Sequence, residues 1–100
     1  MAQRAERVHT RQQDIERLTS LCDALEEEEH VLVTLANGET FSGVVLMKPS
    51  LQTFVDPAGN EGVNGVLKLD NIGGMGVTRY FWLDDIRDVA HRPSGEAPGA

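Results

Sequence analysis

The sequence predicts a mainly β protein, a small barrel of about five bent antiparallel strands preceded by an N-terminal α-helix. Three observations carry this expectation. Apolar residues recur at spacings of three and four between Ile15 and Leu25, the mark of one amphipathic helix. From His30 the period falls to two, as in strands. The remainder is cut into short runs by turn-forming clusters at Asn37-Gly38, Pro49-Ser50, Asp56 to Asn60 and Asn71 to Gly76, which suits a barrel of short strands.

One hundred residues, 40% hydrophobic and 25% charged, is the size and composition of a single soluble domain. Residues 1 to 9 show no pattern beyond Val8 and are expected to be flexible. Residues 10 to 92 hold the helix and barrel. The Pro- and Gly-rich stretch 93–100 is expected to be disordered. No apolar run approaches the roughly 18 residues of a membrane span, and the N-terminus lacks the apolar centre of a signal peptide. The single Cys22 forms no internal disulfide. Together these predict a cytoplasmic protein with no membrane association.

Each element has a local reason. Thr10 and Gln13 have capping-box spacing, so the helix is expected to start there. Ile15, Leu18, Leu21, Cys22 and Leu25 form its buried stripe, with Asp14, Glu16, Arg17 and Asp23 opposite. The acidic run Glu26 to Glu29 opposes the helix dipole and predicts fraying. Val31, Val33 and Leu35 alternate along a first strand, and Phe41 to Met47 returns as a second. A three-residue loop, Asn37 to Glu39, would pair Leu35 with Phe41 and Val33 with Gly43. It would also gather Val31, Val33, Leu35, Phe41, Val45 and Met47 on one face. Leu32, Val44 and Leu46 fall on the other, where the helix or a partner subunit is expected to cover them. Leu51 to Val55, Val66 to Leu69, Val77 to Leu83 and Ile86 to His91 read as the later strands.

HVLVTLANGETFSGVV, residues 30 to 45, resembles the first motif of Sm-like proteins, with Leu35, Gly38, Gly43 and Val45 in the motif places. FWLDDIRDV resembles the second in outline, with Ile86 opening the last strand. The chain is thus identified as a divergent bacterial Sm-like protein. The resemblance implies a barrel carrying an N-terminal helix, which gives the apolar stripe a place to dock. It also implies assembly through exposed strand edges. The departures fall where the family holds a nucleobase. Pro49 and Thr53 stand in place of its Asp and Asn, and Trp82 and Leu83 in place of its Arg-Gly pair.

Charge argues the same way. The formal net charge is −7, and between residues 31 and 92 five cations face seven acids. Nucleic-acid binding draws on clustered Lys and Arg, so RNA is the secondary expectation. A non-enzymatic module acting through self-association or a protein partner is the primary one. A dimer is favoured over a ring, because the long 56–76 segment would obstruct ring closure. The candidate binding face is Tyr80 and Trp82 with Arg79, Arg87 and Lys48. No cofactor, metal site or catalytic residue is expected. Gly73, Gly74 and Gly76 lack the following helix of a phosphate loop. His9, His30 and His91 lack metal-ligand spacing among themselves. Asp84, Asp85 and Asp88 suit a turn.

Overall fold

The computed structural model describes residues 3–70 and 77–92. The expected turn at Asn71 to Gly76 and the expected disordered tail lie outside the described residues. Helix α1 spans Gln12–Ala24. The strands are β1 (Gln3–Arg4), β2 (His30–Leu35), β3 (Thr40–Val45), β4 (Gln52–Val55), β5 (Glu61–Asn64), β6 (Val66–Asp70), β7 (Thr78–Trp82) and β8 (Ile86–Arg92). They form two sheets, ordered β7-β6-β3-β2-β8 and β1-β4-β5.

The mainly β class with an N-terminal helix holds, whereas the single barrel of about five strands does not. β7 and β8 are the two edges of the larger sheet and do not pair with each other, so the barrel stays open. The expected third strand, Leu51 to Val55, belongs instead to a β4–β5 hairpin in the second sheet. Its return strand, Glu-Gly-Val-Asn, is too short and too polar to show an alternating pattern.

α1 and its C-cap residue lay Leu18, Cys22 and Leu25 on Val31, Val33, Val45, Leu67, Leu69, Leu83 and Ile86, all buried. Removing this apolar surface from water is the main stabilising term. The helix therefore covers the inner face of the hairpin, and the expected cover over Leu32, Val44 and Leu46 is not supplied by it. Leu46 is exposed. Met47, assigned to the inner face, is exposed too, because β3 ends at Val45 and the chain turns away.

The β2–β3 register differs by two residues from the expected one: Val33 lies opposite Phe41 and Val31 opposite Gly43. Leu35 N–H donates to the Glu39 carbonyl at 2.8 Å, so the loop is Ala36 to Gly38. A shift of two preserves which face each side chain takes, and Val31, Val33 and Val45 are buried as the alternation required. Gly38 supplies the loop's left-handed residue, with φ +93°.

The N-terminal residues, whose sequence shows no pattern beyond Val8, pair with the smaller sheet. β1 runs parallel to β4, and His9 exchanges two backbone hydrogen bonds with Val63 of β5, at 3.0 and 2.9 Å. The segment thus straps both edges of the β4–β5 hairpin. Gly62 permits the crossing, since a Cβ there would lie 2.8 Å from the His9 carbonyl oxygen. The strap also moves the helix start. Arg11 is the N-cap, in extended conformation and without a side-chain cap bond, so the Thr10/Gln13 box is unused. At the other end α1 stops at Ala24, before the acidic run.

Candidate functional site

β7 carries the aromatic cluster. Its register against β6 places Trp82 opposite Val66 and Tyr80 opposite Lys68, so these four side chains share the outer face. Tyr80 is 64% exposed, and the Lys68 ammonium lies 5.9 Å from its ring centroid. Trp82 is half-buried and meets Phe54 of β4 edge-on, with ring centroids 5.3 Å apart. The hairpin, not the helix, covers it. Phe81 points inward onto Phe41 at 5.1 Å.

The backbone of β7 adds a second feature. Leu83 N–H donates to the Gly65 carbonyl at 2.9 Å, in register with the pairs Leu67–Phe81 and Leu69–Arg79. Alternation then turns the N–H and C=O of Thr78, Tyr80 and Trp82 towards the open side of β7. This edge is unpaired among the described residues.

The expected cations are dispersed. Arg79 sits over the Phe41 ring, 5.2 Å from its centroid. Arg87 is on β8, at the opposite edge of the sheet. Lys48 donates to the Cys22 carbonyl at 2.7 Å and to Glu26 at 2.8 Å. It therefore neutralises the C-terminal end of α1, and the ion pair with Glu26 raises the pKa of its ammonium. Tyr80 and Trp82 are brought together; Arg79, Arg87 and Lys48 do not join them. Val45 and Ile86 are buried, and Leu35 pairs with Ile86. Gly43 lets β6 approach, since a Cβ there would stand 2.7 Å from the Asp70 carbonyl oxygen.

Residue-type reasoning missed Lys68, Phe54 and Val66. Lys68 did leave a signal, as the charged residue in an outward slot of VLKLD. It also missed a polar knot at the turn Leu83–Asp85, a single 3-10 turn. The Asp84 carboxylate, only 7% exposed, accepts from Arg7 at 2.8 Å and pairs with His9 at 2.9 Å. Arg7 also reaches Asp85 at 2.7 Å. Buried Asn64 donates to the Arg7 carbonyl at 2.9 Å and accepts from Gly65 N–H. Burial alone would push the Asp84 pKa up. The hydrogen bonds from Arg7, His9 and Asn64 outweigh it and hold the carboxyl below its ordinary value. This knot fastens the N-terminal strap to the barrel. Burial pushes the Cys22 thiol up, which makes it a poor nucleophile.

Between the strap, the hairpin and β6 lies a cleft of about 290 Å³, whose lining includes Gln3, Lys48, Gln52, Phe54, Val66 and Lys68.

The family described as "Domain of unknown function (DUF3247)" matches residues 2–92. The chain belongs to the DUF3247 family. This DUF3247 chain is also similar to XC5848 of Xanthomonas campestris, at 31% identity and a TM-score of 0.88, over 93% of this chain and 100% of that one. The crystal structure of XC5848 is described as adopting a novel variant of the Sm-like motif. The Sm-like resemblance is therefore shown, and the open barrel with its added hairpin is the form it takes in this DUF3247 chain. No curated protein matches the sequence. Among the described residues no helix is long and apolar enough to cross a membrane.

Proposed function

We propose that this protein is a non-enzymatic Sm-like interaction module of the cytoplasm, acting by self-association or protein binding through the β7 edge. One observation carries the reading: Tyr80, 64% exposed, sits midway along a strand whose main-chain groups on one side have no partner among the described residues. Exposed aromatics anchor interfaces, and open edges accept further strands. A dimer formed by two β7 strands pairing about Tyr80 is favoured over a ring. The hairpin's Phe54 packs on Trp82 at the C-terminal end of β7, which leaves the part around Tyr80 for a partner.

Tyr80→Pro tests this. It removes an N–H from the open side and leaves the ladder to β6 intact. Light scattering is expected to give a dimer for the parent and a monomer for the variant. Tyr80→Lys, a milder edge change, is expected to shift the equilibrium the same way. A dimer that survives both substitutions contradicts the reading.

RNA binding through an atypical site is the second reading, supported by Tyr80 facing solvent beside Lys68. The net charge of −7 and the scattered arginines count against it. Anisotropy of labelled single-stranded RNA at low salt decides it: saturable, salt-sensitive binding would favour RNA.

A further inference from the structure

We propose that the cleft between β1 and β6 binds an extended acidic segment of a partner protein. The inference rests on the reading of the molecule as an interaction module, but it concerns the β6 side of the outer face, which meets the β7 edge through Lys68 and Val66.

The first support is backbone geometry. Among the described residues β3 pairs with β6 at Val44–Asp70 and Val45–Leu69, and Leu46 N–H then donates to the Lys68 carbonyl at 3.1 Å. Beyond that point β3 has left the sheet. Alternation along β6 turns the N–H and C=O of Val66 to the side of the connection between β3 and β4, where no backbone partner meets them among the described residues. Across the cleft, β1 is the free edge of the smaller sheet, and Gln3 lines the wall. The unpaired stretch of β6 at Val66 therefore borders a groove walled by Gln3, Gln52 and Phe54, which is the setting for strand addition.

The second support is chemical. Phe54 and Val66 give the cleft an apolar floor, and Met47, 62% exposed, stands at its rim. Its charged lining residues are Lys48 and Lys68, with no carboxylate, in a chain whose net charge is −7. Lys48 is already held by Glu26. Lys68 meets no carboxylate among the described residues. It is the cation that receives a carboxylate of the ligand, while an apolar side chain two residues away takes the floor. A single available ammonium suits one acidic side chain, whereas a polyphosphate chain requires several.

The probes are a short fluorescein-labelled peptide alternating Val and Glu, its Val/Lys counterpart, and an oligouridylate of equal length. Anisotropy is expected to show saturable binding of the Val/Glu peptide alone. Lys68→Glu, an exposed change, is expected to weaken it at least about tenfold. The Val66 amide should exchange more slowly when the peptide is present. Absent Val/Glu binding, equal binding of either other probe, or unchanged affinity in Lys68→Glu overturns the proposal, as does an unaffected Val66 amide. Tyr80→Pro separates the two readings. If it stays dimeric while the peptide binds, only the edge assignment fails. If it becomes monomeric and no peptide binds the parent, only the cleft assignment fails.

Discussion

Gly43 shows how closely one atom controls this fold. A β-carbon there would stand 2.7 Å from the Asp70 carbonyl oxygen and 3.1 Å from the Leu69 β-carbon. Because those atoms belong to a neighbouring strand, relief requires β6 to move. Gly43→Ala is expected to lower stability by about 1–3 kcal/mol, read as a reduced urea midpoint. Asp84 makes a complementary case. Asp84→Asn removes the counter-charge from Arg7 and the carboxylate bonded to His9, and is expected to cost about 1–3 kcal/mol at neutral pH. The carboxyl's folded pKa lies below its ordinary value. Its contribution is thus complete above the unfolded value of about 3.9 and is lost as pH falls through the folded pKa. Urea midpoints measured against pH should therefore fall more steeply below about pH 4 in the parent than in Asp84→Asn.

At the scale of elements, legibility followed periodicity. The α1 stripe and the β2–β3 alternation repeat over several residues, and both were readable with their buried faces. Even with the register displaced by two, Val31, Val33 and Val45 keep the buried face, since a side chain's face depends only on parity, and Met47 departs because it lies beyond the end of β3. The strap had no such signal. Arg7 and His9 are fixed by Asp84, more than 70 residues away, and no local pattern announces a contact of that separation. β5 was hidden for a related reason: it is defined by pairing with β4 and the strap, not by its own apolar content. Tyr80 and Trp82 were legible as outward aromatics, whereas Lys68 and Val66 join them only through the β6–β7 register. The strap's dependence on the knot can be tested. Arg7→Ala is expected to speed exchange of the Ala5 and His9 amides, which bond Val55 and Val63, and to leave Val31 and Val33 protected. Unchanged Ala5 and His9 exchange would show that backbone pairing alone holds the strap.

For the molecule as a whole, the β4–β5 hairpin and its strap form a second sheet beside the five-stranded one. They close over Trp82, build the cleft against β6, and leave the middle of β7 open. Charge sets the same bias at this scale, because a net −7 repels polyanions and tolerates protein partners. The central claim is that the β7 edge pairs with a second strand. Hydrogen exchange of the Tyr80 amide across a protein-concentration series tests it most directly. Protection that grows with concentration, and grows for Tyr80 more than for Arg79, whose amide already faces β6, is the predicted result. A Tyr80 amide that exchanges freely at every concentration would contradict it.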